Sequence, residues 1–372
     1  MENNIIPWYR VRNEGEVNSP GLLIYPDRIE ANIVKMIKIA GSAERLRPHV
    51  KTHKMPEIVK LQVKNGIKKF KCATISEAEM TAMSGAKDIL LAMQPVGPNL
   101  SRFFELRKTY TKADISCIAD NNQDIENISK LSAEHKLKTT VWLDINAGMN
   151  RTGIIPGPEA AGLFRKIATD RFLSAGGLHV YDGHIHEPDP EKRYRLCEEA
   201  FEPVAKMLAD LEKAGFNNIR IVAGGTPSFP VHAKHGRAEL SPGTTLLWDW
   251  GYGTSFTDMD FMHAAVLITR VVSKPAPGLL CLDLGHKAVA SEMPHPRVKI
   301  MDLPDYEFTG HNEEHLVIRT SEAGKYRTGD ALYCIPWHIC PTVDRHDRAV
   351  VVRNNMAEGE WMIEARKRKI SI

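Results

Sequence analysis

Over the first 250 or so residues, short apolar runs alternate with segments whose apolar positions recur every three or four residues. Gly21–Tyr25 is the first run, and Asp27 then caps a helix reaching about Ala40, with Ile29, Ile33, Met36 and Ile37 as its apolar stripe. Eight strand candidates follow, at 46–50 (LRPHV), 69–73 (KFKCA), 88–92 (DILLA), 113–118 (ADISCI), 139–144 (TTVWLD), 175–180 (AGGLHV), 219–223 (IRIVA) and 244–248 (TTLLW). Helical patterns separate them at 56–65, 76–84, 99–110, 122–135, 157–168 and 190–214, and only a weak one occupies 224–243. Short apolar strands alternating with helices predict βαβ units and a parallel sheet, and eight such units predict a closed (β/α)8 TIM-type barrel.

Near Gly253 the pattern changes. From about Met262 the chain reads as strands and turns (AAVLITRVVS, GLLCLDLG, EEHLVIRTS, DALYCIPWHIC, RAVVV, GEWMIEAR), which predicts a mainly β second domain. The expected division is a barrel over 15–255 and a β domain over 256–372. The first 14 or so residues, with their WYRV stretch, are expected to add a strand to the latter.

A length of 372 residues suits a large barrel with a smaller companion. With 43% hydrophobic residues, 26% charged residues and a net charge of +3, the chain has no basic surface for nucleic acid as its main partner. The one basic cluster, Arg366-Lys367-Arg368-Lys369, reads as a solvated tail. Six cysteines without CxxC spacing point to reduced thiols in the cytoplasm. The opening MENNIIPWYRVRNEGE has no apolar signal core, and no run is long enough to cross a bilayer. A small-molecule partner is therefore expected, with no nucleic acid and no membrane.

Barrel enzymes carry their chemistry at the C-terminal ends of strands, so those ends bear the functional reading. The first is Arg47-Pro48-His49-Val50-Lys51-Thr52-His53-Lys54. A lysine there projects into the barrel mouth as a nucleophile toward an aldehyde, or is simply part of a basic surface junction. The fifth, Asn146-Ala147-Gly148-Met149-Asn150-Arg151-Thr152-Gly153, offers Arg151 to a phenolate oxygen or to an ordinary ion pair. The sixth ends at Tyr181, in GLHVYDGHIH, an aromatic ring for stacking or for packing the loop. The seventh ends in Ala223-Gly224-Gly225-Thr226-Pro227-Ser228, and the eighth is preceded by Ser241-Pro242-Gly243-Thr244. Their backbone N–H groups and hydroxyls suit a phosphate.

RPHVKTHK, NAGMNRTG, the Tyr181 strand, AGGTPS and SPGT, in this order, resemble the fold-type III pyridoxal-phosphate (PLP) enzymes, the alanine-racemase-like barrels. RPHVKTHK together with the C-terminal segment described next is similar to the D-threonine aldolase and D-serine dehydratase group. The resemblance implies that Lys51, not Lys54, forms the Schiff base with PLP. It places His49 of the same motif at the cofactor, Arg151 at the phenolate oxygen and Tyr181 against the ring, with Gly224, Gly225, Thr226, Gly243 and Thr244 around the phosphate. Alanine racemases carry an arginine facing the pyridine nitrogen where this chain has Ser241. A neutral hydroxyl there makes the ring a modest electron sink, unless nearby Glu239 takes the arginine's place.

In the β domain, Ile335-Pro336-Trp337-His338-Ile339-Cys340 puts an imidazole and a thiolate two residues apart, on one side of a strand. The resemblance makes His338 and Cys340 the ligands of a divalent metal, Zn2+ or Mn2+, with positions left for water and substrate. Such an ion stabilises alkoxide charge developing on a β-hydroxyl. His184 and His186 are candidates for the general base at that hydroxyl. His311, Glu313, Glu314 and His315 form another polar cluster, either at the metal or capping a turn. Asp344 and Asp347 are candidates to support the ligands or members of a polar loop. The expected activity is a D-threonine aldolase-like lyase, giving glycine and acetaldehyde, and the alternative is a D-serine or D-3-hydroxyaspartate dehydratase. An amino-acid racemase needs no metal, and a non-catalytic PLP carrier has no appended β domain, so both fit less well. The resemblance also implies a homodimer.

Overall fold

The computed structural model describes residues 6–372, so the first five residues of the expected N-terminal addition lie outside the described residues. The chain folds into two units. One comprises Val34–Lys51, Pro56–Gly243 and Ala365–Ile372. The other comprises the described residues up to Ile33, with Thr52–Met55 and Thr244–Glu364.

Strand β1 (Gly21–Ile24) opens the chain. The first unit is then built on β2 (Lys69–Cys72), β3 (Asp88–Leu91), β4 (Asp114–Ala119), β5 (Thr139–Ile145), β6 (Leu173–Val180), β7 (Ile221–Ala223) and β8 (Ala238–Leu240). All seven are parallel and lie in sequential order in one sheet. Helices stand between successive strands, as the periodicity predicts. Several start on a side-chain cap: Thr74 accepts from the Glu77 amide, and Asn121 from the Asp124 amide.

Two of the eight expected strands differ from the reading. Residues 46–49 form no regular strand, because Pro48 has no N–H for a ladder. They still lie between the sheet's two ends: Leu46 bridges Leu240 of β8, and His49 bridges Lys71 of β2. The Arg47 amide donates to Leu240 O at 2.8 Å and the Lys71 amide to Pro48 O at 2.9 Å, so this segment is the eighth stave of the ring. Residues 244–248 are not the last strand. Thr244–Leu246 is a short 3-10 turn of the other unit, and the last strand is β8, inside the stretch that read as weakly helical.

Inside the ring the side chains lie in tiers, as the two-residue period requires. Leu90, Ile118, Trp142 and Val222 form a buried middle tier. Gly176 and Gly177 give Trp142 its space: a Cβ on Gly176 would stand 2.5 Å from the indole nitrogen, and Gly177 has φ +136°. Buried Arg47 reaches Asp88 through two bonds of 2.7 and 2.9 Å and Glu239 at 2.7 Å, while Lys69 holds the other Glu239 oxygen at 2.8 Å. Asp88 begins β3 and Lys69 begins β2, which places this network at the barrel floor. Glu239 is thereby committed to two cations, and the idea that it serves the pyridine nitrogen is corrected.

The second unit is a nine-stranded sheet of β1 with β9 (Ala265–Ser273), β10 (Leu279–Leu282), β11 (Val298–Ile300), β12 (Glu307–His311), β13 (Leu316–Arg319), β14 (Ala331–Pro336), β15 (Arg348–Arg353) and β16 (Met356–Met362). β1 lies between β9, antiparallel, and β15, parallel, so the run at 21–25, expected within the barrel range of 15–255 and ahead of its eight strands, belongs to this sheet. Leu23, Val266, Ile268, Tyr333, Ile335 and Val352 share one buried face. The WYRV stretch forms a turn rather than the expected strand, because its side chains cover that face: Tyr9 and Val11 join the core, and the Val11 amide donates to the Tyr333 hydroxyl at 3.2 Å. Among the described residues no helix is long and apolar enough to cross a membrane.

Candidate active site

At the mouth of the barrel Tyr181, just past the end of β6, is clamped edge and face by glycine. A Cβ on Gly183 would fall 2.3 Å from its ring, and one on Gly225 would fall 3.2 Å away. Three cations gather on this ring. Lys51 Nζ lies 5.7 Å from its centroid, Lys71 Nζ 5.2 Å and the Arg151 guanidinium carbon 5.4 Å. Lys51 is half-buried just past the 46–49 stave, and Arg151 is exposed on the loop after β5. The His49 ring accepts the Lys51 amide through Nδ1 at 3.3 Å. Lys54 is elsewhere: it pairs with Asp344 at 2.9 Å in the other unit.

Lys71, His179 and Asp144 make a buried file below Tyr181. Lys71 Nζ meets His179 Nε2 at 3.5 Å, and His179 Nδ1 meets Asp144 Oδ1 at 2.6 Å. A carboxylate accepts only, so Nδ1 carries the imidazole proton and Nε2 accepts from the lysine. Burial pushes the Lys71 ammonium down to about 7, and the nearby Lys51 charge adds to this against the pull of Asp182 and Asp144. Burial also lowers the His179 imidazole, despite its bond to Asp144.

Asp182 anchors the neighbouring loop. It accepts from Ser228 Oγ at 2.6 Å, from His232 Nε2 at 2.7 Å and from the Gly225 amide at 3.3 Å. Burial alone would raise its carboxyl, but these bonds, with His232 first, hold it below the usual carboxylate range. Gly224 adopts φ +80° to turn into the helix Phe229–His235. The Gly243 amide donates to Thr226 Oγ1 at 3.2 Å, and Ser241 follows β8 with its amide on Ala223 O. The His184 ring lies against Gly148, where a Cβ would meet Nε2 at 3.1 Å. His184 and His186 are both exposed.

Two buried oxygens here, Asp144 Oδ2 and Ser241 Oγ, have no hydrogen-bond partner. Buried polar atoms without partners cost free energy, so they mark where a polar ligand belongs. Three cations, a glycine-walled aromatic ring and a solitary hydroxyl fit an anionic, phosphorylated pyridine. Lys51 would hold its aldehyde, and Ser241 is the neutral partner available to its nitrogen.

In the second unit, His338 and Cys340 occupy the junction of β14 and a short helix, Ile339–Val343. Thr52 Oγ1 lies 3.2 Å from Cys340 Sγ, and Thr244 Oγ1 lies 3.6 Å away. Glu292 Oε1 accepts a hydrogen bond from His338 Nδ1 at 2.6 Å, so Nε2, once its own proton has left, is the nitrogen available to a metal. Burial would lower the imidazole, but Cys340, Glu292 and Asp249 outweigh it and push it up to about 9. Among the described residues no group of three or more His, Cys, Asp and Glu side chains is gathered for a metal. His311 is not part of this pair. Its Nδ1 faces Arg297 at 3.1 Å and its Nε2 the Leu284 carbonyl at 3.1 Å, while Glu314 pairs with Lys287. Asp347 pairs with Arg348. All six cysteines are free thiols.

A curled parallel barrel with a lysine at its mouth and a separate β unit defines the class, and the chain belongs to the alanine racemase family: residues 24–249 match the family described as alanine racemase, N-terminal domain. Residues 264–352 match a second family, the putative serine dehydratase domain. The chain is 30% identical over 356 residues to a D-threonine aldolase of an Arthrobacter species, covering 94% of this chain and 93% of that one. It is 28% identical over 373 residues to a 3-hydroxy-D-aspartate aldolase of Paracoccus denitrificans, with 97% and 95% covered. The crystal structure of D-threonine aldolase from Filomicrobium marinum superimposes with a TM-score of 0.87 at 28% identity, over 94% of this chain and 96% of that one.

The sequence reading did not single out Lys71, His179, Asp144, Asp182 or Glu292. For Lys71 the signal was present, because charged residues alternate with Phe70 and Cys72 in a strand otherwise suited to a barrel interior.

Proposed function

We propose that this protein is a PLP- and divalent-metal-dependent lyase of D-3-hydroxy amino acids, cleaving D-threonine to glycine and acetaldehyde or acting on a close analogue. The observation that carries this reading is the mouth of the barrel, where Lys51 shares the Tyr181 ring with Lys71 and Arg151 while Asp144 Oδ2 and Ser241 Oγ lack partners. The named activities of the aldolase relatives supply the substrate class.

When bound, PLP withdraws electrons from the substrate α-carbon, and a divalent ion stabilises negative charge on the β-oxygen. The chain's own residues do the rest. Lys51 would hold the cofactor aldehyde, and its amine is the group that would carry a proton to or from the α-carbon. Tyr181, fixed between Gly183 and Gly225, keeps the ring plane, and Arg151 neutralises its phenolate side. Gly224, Gly225, Thr226, Gly243 and Thr244 form the phosphate end. Ser241, uncharged, would face the pyridine nitrogen and would leave the ring a modest electron sink, so the β-oxygen would need activation of its own. His338 and Cys340 hold the ion, Zn2+ or Mn2+, and Glu292 fixes the His338 tautomer. His184 and His186, both exposed, would receive the hydroxyl proton. A cytoplasmic homodimer completes this reading.

Dehydration of D-serine or D-3-hydroxyaspartate is the second reading, favoured by the thiolate ligand Cys340 and by relatives named as dehydratases. Incubating the PLP-loaded protein with D-threonine, D-serine and D-3-hydroxyaspartate separates the two. Acetaldehyde or glyoxylate appearing with glycine marks the aldolase, and keto acid with ammonia marks the dehydratase. Racemisation that survives a chelator, or an inert yellow protein, would overturn both.

A further inference from the structure

We propose that Lys71 is a second cofactor-facing amine, and that its ammonium pairs with the phenolate oxygen of the pyridine ring on the β2 side of Lys51. This rests on the PLP reading above and adds a residue to it.

The argument begins with the order of groups around a pyridoxal ring: phenolic oxygen, aldehyde and phosphate arm sit on three successive carbons. The aldehyde belongs to Lys51, at the end of the 46–49 stave, which lies between β8 on one side and β2 on the other. The phosphate groups, Gly224, Gly225, Thr226 and Gly243, follow β7 and β8. With the phosphate on the β8 side of Lys51, the oxygen on the other flank of the aldehyde faces β2. Lys71 is the buried cation of β2, in register with His49, and its Nζ stands 5.2 Å from the Tyr181 ring centroid.

The proton inventory agrees. Asp144 Oδ1 accepts from His179 Nδ1, and His179 Nε2 accepts one hydrogen from Lys71. An ammonium has three donors, so two remain for a ligand. Burial with Lys51 alongside makes the ammonium costly, with its midpoint near 7. An anionic oxygen against it removes that cost, so the pair gains most when both are charged. Arg151, at 5.4 Å from the same ring but exposed, serves the same oxygen from the solvent side. A buried lysine kept only for packing would need neither the imidazole nor the carboxylate behind it.

The test is a spectrophotometric pH titration of PLP-loaded wild type, Lys71→Met and Lys71→Arg, with borohydride trapping at Lys51 as a control. Removing a cation next to the protonated Lys51–cofactor linkage makes its proton harder to lose. In Lys71→Met the midpoint should therefore rise by about one pH unit or more, and PLP affinity should fall about tenfold, the worth of one charge-assisted hydrogen bond. Lys71→Arg should restore much of both. His179→Gln keeps the charge but loosens its hold, and gives a smaller shift of the same sign should Lys71→Met fail to fold. An unchanged midpoint and affinity in a variant still trapped at Lys51 overturns the assignment of Lys71. Absence of any trapped linkage in the wild type overturns the PLP reading instead.

Discussion

Two polar clusters of the barrel lie only two residues apart along β2, and they are built on opposite terms. At the floor, Arg47 and Lys69 meet Asp88 and Glu239, two cations against two carboxylates, with both Glu239 oxygens and both terminal nitrogens of Arg47 engaged. At the mouth, Lys51, Lys71 and Arg151 crowd one tyrosine. The nearby Asp144 spends one oxygen on His179 and leaves the other without a partner. A closed network holds strands together, whereas an open one awaits something from outside. Buried ion pairs and buried unsatisfied groups are both expensive, but only the first kind is settled within the chain. The comparison teaches that the floor of this barrel is for stability and the mouth for a ligand.

The largest expected effect tests the mouth directly. Lys51→Ala should lower activity by about 10^4-fold or more and abolish borohydride trapping of PLP, since in the proposed function the same amine would tether the cofactor and move the proton. Its urea unfolding midpoint without PLP should barely move. Arg47→Met should do the reverse. It leaves Asp88 and Glu239 facing each other without their shared cation, at a cost of about 3–5 kcal/mol in unfolding free energy. At PLP saturation its folded fraction should keep the wild-type absorbance. If Arg47→Met proved harmless to stability, the distinction between floor and mouth would be lost.

A pH series comes next. Lys71 has its ordinary midpoint of 10.5 in the unfolded chain and one of about 7 in the fold. Below pH 7 both states hold the proton and the full penalty is present. Between 7 and 10.5 only the unfolded chain holds it, so unfolding free energy rises with pH by up to about 1.4 kcal/mol per unit. His338 acts in the opposite sense. It is pushed up from 6.5 to about 9, and its contribution is full below 6.5 and lost as pH rises through 9. Subtracting Lys71→Met from wild type, both without PLP, cancels the histidine and leaves the lysine. Urea titrations at pH 7, 8 and 9 should show the wild type gaining on the variant. A flat difference would mean that Lys71 is not penalised by its burial.

In the second unit, Glu292→Gln should weaken Zn2+ or Mn2+ binding by about 10- to 100-fold in a calorimetric titration. The carboxylate that fixes the His338 tautomer would be replaced by an amide that can present either atom.

The apolar runs made six of the seven parallel strands and most of the helices legible, because their two- and 3.6-residue periods are local. The stave at 46–49 was legible as the first strand, and it takes that place through isolated bridges because Pro48 denies it a regular ladder. TTLLW at 244–248 is as apolar as any strand, yet it packs as a buried 3-10 turn, and composition alone does not choose between the two. The short β8 hid behind Glu239, whose charge is tolerated inside only because Arg47 and Lys69 come from distant positions to meet it. For Lys71 the alternation was visible but did not decide its place, because alternation shows that two faces exist and not which one turns inward. Asp182 and His232 are 50 residues apart, and no local pattern joins them.

The smallest effect bears most finely on the comparison. Ser241 Oγ is buried and has no partner, so without a ligand its hydroxyl is a net cost. Ser241→Ala removes that cost and fills the same space, and should raise the unfolding free energy of the PLP-free protein by about 1 kcal/mol. With PLP bound the advantage should vanish or reverse, because the hydroxyl then has the pyridine nitrogen to meet. The same substitution at a floor-type site, where every group is already satisfied, would destabilise both forms alike. Paired urea titrations with and without saturating PLP read the difference. A Ser241→Ala protein destabilised equally in both would show that the hydroxyl belongs to the barrel's own bonding and not to its ligand.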